Sequence, residues 1–226
     1  MILNIMKIKY LVSSHPAYSV PRDKLLATLR PQVPAADITV VVSCCPKART
    51  YTHDGITYDD VLENAYELTS LIHVVNHPDA YEGYTHVFLF HDTMECGPNA
   101  YRLIESHPEY DWDVSYAVAF GNGNYRTMVG LYRISFLHSI SEHVNSWSGI
   151  SKARAIAIEM NAADPLHPAS LTKKIQTFPN ASPWVRGTAK KKYSTDMRWS
   201  AYIPSIDTTK WYKKPPVYDE IFHNRP

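Results

Sequence analysis

His91, Asp92 and Glu95 fall within five positions of one another in the stretch THVFLFHDTMECGP, residues 85–98. Carboxylate oxygens are ligands for hard divalent cations, and Mg²⁺ or Mn²⁺ is commonly held by one or two protein carboxylates while phosphate oxygens complete the shell. Asp92 and Glu95 are therefore the metal candidates, with His91 beside them. A cation held there could bind a nucleotide diphosphate and stabilise it as it leaves. Plainer readings of the same residues stay open. Asp92 and Thr93 could begin a turn or cap a helix, Glu95 could be a solvated acid, and His91 could make a structural hydrogen bond.

A second polar cluster, SSHPAYS at 13–19, also follows an apolar run. Its hydroxyls, His15 and Tyr18 could contact a base or ribose. It lacks the glycines of a phosphate-cradling loop or of the dinucleotide fingerprint, which argues against a P-loop NTPase and an NAD enzyme. Taken alone, Ser13, Ser14 and Ser19 read as turn or capping residues.

The elements that must carry these clusters come from the apolar pattern. Residues 8–13 read as a strand, and Pro21 opens a helix with Leu25, Leu26 and Leu29 on one face before Pro31 and Pro34 end it. Residues 38–42 are a β-branched strand, and 44–57 a loop containing Gly55. Asp59 or Asp60 caps a helix running to about residue 70, with Val61, Leu62, Ala65, Leu68 and Thr69 at helical spacing. Residues 71–75 read as a third strand, 76–83 as a loop, and 85–90 as a buried strand that stops at His91.

The second half predicts a helix near 98–106, then apolar segments 114–120 and 126–134 around Gly121-Asn122-Gly123-Asn124, which could form a hairpin turn. Helices are expected at 136–144 and 151–161, the latter with Ser151 as N-cap. This order predicts an α/β fold with a mixed, mostly parallel sheet flanked by helices. In such sheets ligands bind at the carboxyl ends of the strands, where both polar clusters fall.

A chain of 226 residues with 45% apolar and 20% charged residues is long enough for one folded domain. We divide it into a domain at 1–172 and a basic, aromatic, loop-rich extension at 173–226 packed on the same domain. The net charge of +1 names no partner, but residues 173–214 hold ten Lys or Arg against two acids. With Tyr193, Trp199, Tyr202, Trp211 and Tyr212 interleaved, that stretch could bind a single-stranded nucleic acid by stacking, or could be a solvated face; no DNA partner is expected. Cys44, Cys45 and Cys96 form neither a disulfide framework nor a zinc spacing, which suggests a reducing, cytoplasmic setting. The apolar N-terminus is interrupted by Lys7 and Lys9 and reads as a strand, not a signal peptide. No run reaches the roughly 18 apolar residues of a membrane span.

The order LVSSHPAYS, ITVVVS, LENAYELTSL, HVFLFHDTMECGP resembles the nucleotide-sugar-binding half of GT-A-fold glycosyltransferases, and TMVGLYRISFLHSI resembles the segment lining their donor and acceptor pocket. The likeness covers roughly residues 7–161. It implies a Rossmann-related GT-A-like domain and a hexosyltransferase-like activity. The donor would be a UDP-sugar or GDP-sugar, the cofactor Mn²⁺ or Mg²⁺, and the acceptor a carbohydrate hydroxyl. The family's Asp-x-Asp motif is degenerate here, His91-Asp92-Thr93, so only Asp92 carries over as the diphosphate and metal ligand, and Glu95 or a histidine is left as the second. The resemblance places Ser13, Ser14 and His15 near the nucleoside, Asn64 near the base or ribose, and Gly130 where a sugar approaches closely. For an inverting reaction a carboxylate must deprotonate the acceptor. Glu142, Glu159 and Asp164 fall in the right part of the chain, and Glu159 and Asp164 are preferred. Two other functions fit the same residues: a metal-dependent nucleotidyltransferase or phosphohydrolase centred on His91 and Asp92, and a non-catalytic module binding nucleic acid or glycan.

Overall fold

The computed structural model describes residues 6–92, 94–96, 101, 104, 113–120, 130–160, 166, 168, 175–184 and 197–199, of which 94–95, 115–120, 159–160, 175–184 and 197–199 are described by backbone alone. Strand β1 (Ile8–Ser14) is buried at every position, as a strand covered on both faces must be. Around it stand β2 (Ile38–Val42), β3 (Arg49–His53), β4 (Ile56–Asp60), β5 (His86–His91), β7 (Val114–Phe120), β8 (Gly130–Arg133) and β9 (Ile175–Trp184). They form one sheet in the order β3-β4-β2-β1-β5-β8-β7-β9. Strands β4, β2, β1 and β5 run parallel, β8 runs antiparallel to β5 and β7, and β9 is parallel to β7. A short strand β6 (Met94–Cys96) pairs apart from this sheet with β10 (Met197–Trp199).

Alternation along β1 feeds two cores. Tyr10 and Val12 meet Leu25, Leu26 and Leu29 of helix α1 (Ser19–Leu29), together with Val40, Phe88 and Phe90. Leu11, Val41, Val87 and Leu89 point the other way, to α2 (Thr69–Asn76), α3 (Ile134–Ser139), α4 (Ser141–Asn145) and α5 (Lys152–Met160). Trp147, fully buried, fills that second core. Each fully buried Leu, Val or Phe contributes about 1.5–3 kcal/mol relative to exposure, so the sheet is held from both sides.

The expected strands at 8–13, 38–42, 85–90 and 114–120 form within a residue or so, and Ser151 caps α5 by accepting from the Arg154 N–H at 3.3 Å. Two readings of helix and strand are exchanged or lost. Residues 71–75 are not a strand but the body of α2, whose first seven residues are all buried. A short helix enclosed on every side shows no polar face, and LIHVV looks the same in sequence as a buried strand. Asp59 and Asp60 do not cap a helix either: they end β4, and residues 61–65 run on as a loop. The helix expected near 98–106 and the Gly121-Asn122-Gly123-Asn124 turn lie largely or wholly outside the described residues. Within the stretch read as a tail, β9 joins the sheet beside β7, and Pro179 and Pro183 are tolerated because it is an edge strand with a register shift.

The loop expected at 44–57 contains the β3–β4 hairpin, with His53 opposite Ile56 and only Asp54 and Gly55 between them. Both turn residues have positive φ, 51° and 78°, the pairing that a type I′ turn demands and that matches the twist of the strands. A Cβ on Gly55 would sit 3.2 Å from Ala35 Cβ, whereas one on Gly149, φ 67°, would meet nothing within 4 Å. Gly149→Ala should therefore cost only the left-handed backbone strain, about 1–2 kcal/mol. Gly55→Ala should cost more; urea unfolding of the two variants side by side measures the difference.

Candidate functional site

Chain order sets where a crevice must open. From β1 the chain moves outward through β2 to β4, then crosses back through α2 to place β5 on the other side of β1. The reversal at β1 and β5 is a topological switch point, the place where open α/β sheets form their binding crevice, at the carboxyl ends of the strands. The residues there are Ser13, Ser14 and His15 from β1 and His91 and Asp92 from β5, with Ser13 directly opposite His91. The Asp92 N–H donates to the Ser13 carbonyl at 3.2 Å, one step beyond the end of β5. Ser43, at the end of β2, donates to the Ser14 carbonyl from its N–H at 2.9 Å and its hydroxyl at 3.1 Å.

The two polar clusters of the sequence thus form one cluster in space. Their members do different work. His15 Nδ1 accepts the Ala17 N–H at 3.1 Å and so caps the short turn leading into α1. The Ser13 hydroxyl donates to the Glu67 carbonyl at 3.2 Å. His91 stands between two carboxylates: Nε2 lies 2.9 Å from Glu67 Oε1, and Nδ1 lies 3.2 Å from Asp92 Oδ1. Side-chain exposure falls along that chain from 24% at Glu67 to 15% at His91 and 4% at Asp92.

Burial pushes the Asp92 carboxyl up to about 6. The neighbouring His91, the Ser14 hydroxyl and the His15 backbone N–H pull it down, and Glu67 adds a smaller push upward. Desolvation wins because an enclosed charge loses more in hydration than these partners return. The Ser14 hydroxyl lies close enough to Asp92 to act on its carboxyl, and Ser14 Oγ is buried with no fully formed hydrogen bond among the described residues. A carboxylate held at a raised pKa beside an unsatisfied hydroxyl gains from an arriving cation or ligand. Hard oxygen donors of this kind fit Mg²⁺ or Mn²⁺ with phosphate completing the shell. Among the described residues, no group of three or more His, Cys, Asp or Glu side chains is arranged to hold a metal.

The remaining expected residues fall as follows. Asn64 lies on the loop that also carries Glu67, and its Oδ1 accepts the Tyr66 N–H at 3.3 Å. Gly130 begins β8, paired with Leu89 two residues before His91, so it reaches the same edge of the sheet. The Glu95 backbone pairs with Arg198 in the small sheet, and β6 is tied to α1 by the Cys96 N–H on Thr28 Oγ1 at 2.9 Å; nothing is described of the Glu95 side chain. Glu159 is the penultimate residue of α5, known by its backbone, and Thr93 and Asp164 lie outside the described residues. Glu67 is the residue that sequence reasoning missed. Assigning 59–70 to one helix left Glu67 off the helix's apolar stripe, while the true signal, a loop leaving β4 at the carboxyl edge, required β4 to be seen first.

Among solved structures, the chain is similar to a glycosyltransferase involved in the glycosylation of the major capsid of PBCV-1, with 9% identity, 76% of this chain and 81% of that chain covered, and a TM-score of 0.50. The chain has a GT-A-like fold. It also aligns with mannose-1-phosphate geranyltransferase from Thermus thermophilus at 14% identity, over 76% of this chain and 74% of that chain, with a TM-score of 0.42. No family model and no curated protein sequence matches it. No helix among the described residues of this GT-A-like domain is long and apolar enough to cross a membrane.

The position of Asp92 has a stability signature. Its carboxyl takes up a proton near pH 6 when folded and near 3.8 when unfolded. Between those values the folded state binds more protons, so stability falls as pH rises through the window. The full displacement corresponds to roughly 3 kcal/mol at neutral pH. Without ligand, Asp92→Asn should raise the melting temperature at pH 7, by about 2–4 °C per kcal/mol recovered. The gain should shrink to nothing near the unfolded carboxyl's own pKa, as melting curves across the pH range would show; a variant less stable than the parent at pH 7 contradicts the assignment.

Proposed function

We propose that the chain is a glycosyltransferase that moves a sugar from a nucleotide diphosphate donor to a hydroxyl of a carbohydrate acceptor. The observation that carries this reading is the meeting of Ser14 and Asp92 at the β1–β5 switch point of a GT-A-like sheet, a buried carboxylate beside an unsatisfied hydroxyl where that architecture opens its crevice. The resemblance in sequence and the similarity to a solved glycosyltransferase point the same way.

In this reading Ser13, Ser14 and His15 line the nucleoside side and Asn64 faces the base or ribose. Asp92 marks the diphosphate, with Glu95, three positions on in sequence, as the candidate second oxygen ligand. A divalent cation bound there would neutralise the charge that develops on the departing diphosphate. Ser14 can turn its O–H to a phosphate or ribose oxygen, and Gly130, without a side chain, leaves room for the sugar at the mouth. The acceptor oxygen attacks the anomeric carbon as the bond to the diphosphate oxygen breaks. In an inverting reaction its proton passes to a carboxylate, for which Glu159 and Asp164 are the candidates.

Thermal shift with UDP or GDP should show stabilisation that requires Mn²⁺ and the nucleotide together, with nucleoside triphosphates failing to reproduce it; stabilisation by triphosphates instead would favour nucleotidyl transfer. By isothermal titration, Asp92→Asn should weaken UDP or GDP binding in the presence of Mn²⁺ at least tenfold, about 1.4 kcal/mol. Unchanged affinity would remove Asp92 from the donor site.

The base is tested separately. Glu159→Gln or Asp164→Asn, whichever removes the general base, should leave donor binding nearly untouched and lower transfer about 10²–10⁴-fold. A variant with full turnover is excluded from that role.

A further inference from the structure

We infer that Glu67 is a positioning residue of the donor site, acting through His91 to orient the Asp92 carboxylate that meets the diphosphate. This rests on the reading of the site proposed above. A histidine ring turns about two single bonds, and a contact at one nitrogen leaves it free to swivel about that contact. Contacts at both nitrogens fix its plane, and here both are carboxylate oxygens: Glu67 Oε1 at 2.9 Å from Nε2 and Asp92 Oδ1 at 3.2 Å from Nδ1. Asp92 is the innermost of the three and is attached to the end of β5, so its backbone is already set by the bond to Ser13. What remains is the rotation of its carboxylate, which His91 limits together with the Ser14 hydroxyl and the His15 backbone N–H.

Glu67 in turn is held by a loop that the chain builds at some cost. Tyr66 adopts φ 58°, the left-handed region that side chains other than glycine rarely enter. Such strain, on the order of 1–3 kcal/mol, persists where surrounding bonds over-determine it and concentrates at functional sites. The bonds are present: Tyr66 N–H to Asn64 Oδ1 at 3.3 Å, Ala65 N–H to Thr69 Oγ1 at 2.8 Å, and the Ser13 hydroxyl to the Glu67 carbonyl at 3.2 Å. The last one ties the loop to β1 itself, so Glu67 is registered against the strand that forms the other wall of the crevice. Asn64, the residue assigned to the base, lies three positions before Glu67, at the start of the segment that these bonds hold.

Two substitutions separate the hydrogen bond from the bulk of the side chain. Glu67→Gln keeps a polar partner, able to accept or donate, for His91 Nε2, and Glu67→Ala removes it. Glu67 is part exposed, so neither change leaves a buried cavity. Titration calorimetry with UDP or GDP and Mn²⁺ should show Glu67→Ala weaker by about 10-fold or more, within the roughly 10–100-fold cost of losing an outer partner of a site ligand, and Glu67→Gln restored to within about threefold of the parent. The ¹⁵N resonance of His91 Nε2 should move in the Ala variant and return toward its parent position in the Gln variant, a response that a general loss of stability would not produce. If Asp92→Asn loses the nucleotide while Glu67→Ala binds it like the parent, the inference fails and the donor site stands. If the Gln variant binds as poorly as Ala, or the His91 resonance is unmoved, the positioning role also fails. If the parent binds neither UDP nor GDP, the donor reading falls and takes this one with it.

Discussion

β1 is hydrogen-bonded along both edges, to β2 on one side and β5 on the other, in parallel. Parallel neighbours cannot be joined by tight turns, so each pairing demands a crossover, and helices must then cover both faces. α1 makes the first crossover and α2 carries the chain back, which is why the two cores lie on opposite faces of one strand. The same requirement leaves the tops of β1 and β5 with no connection passing between them. The topology thus leaves a place where a ligand site would need only polar residues at the strand ends.

The polar residues that stop those strands are expensive to keep. A carboxylate as enclosed as Asp92 is stable only when something compensates for its lost hydration, and His91 and the nearby hydroxyl compensate in part. The arrangement is therefore incomplete by itself. Where binding completes such an arrangement, the stability that it gives up alone reappears as affinity.

Legibility in sequence followed how unambiguous the local pattern was. β1, β2, β5 and β7 were readable because short apolar or β-branched runs bounded by polar turns leave few alternatives. Asp92 was readable because it ends such a run. α2 was not, because a helix buried all round carries no period. The β3–β4 hairpin was hidden by composition: all of β3, RTYTH, is solvent-exposed, so its residues look like a loop unless the Asp54-Gly55 pair is taken as a turn signal. Losing β4 displaced the following loop into a helix, and Glu67 vanished with it. The pairing of Glu67 with His91 spans 24 positions and depends on a left-handed tyrosine that no periodicity announces.

The hairpin also bears on how the sheet assembles. Its two strands are joined by two residues, whereas β1, β2, β4 and β5 meet only after the chain has closed long loops. Pairings of such short reach form orders of magnitude faster than distant ones. β3 can thus occupy the outer edge of β4 before β4 docks on β2, and the parallel layer then grows in one direction, toward β1 and β5. An unpaired β4, with buried Ile56 and Tyr58 and a free row of backbone groups, would be a template for other chains during that interval. The exposed strand that looked like a loop is, in kinetic terms, a guard on the growing edge.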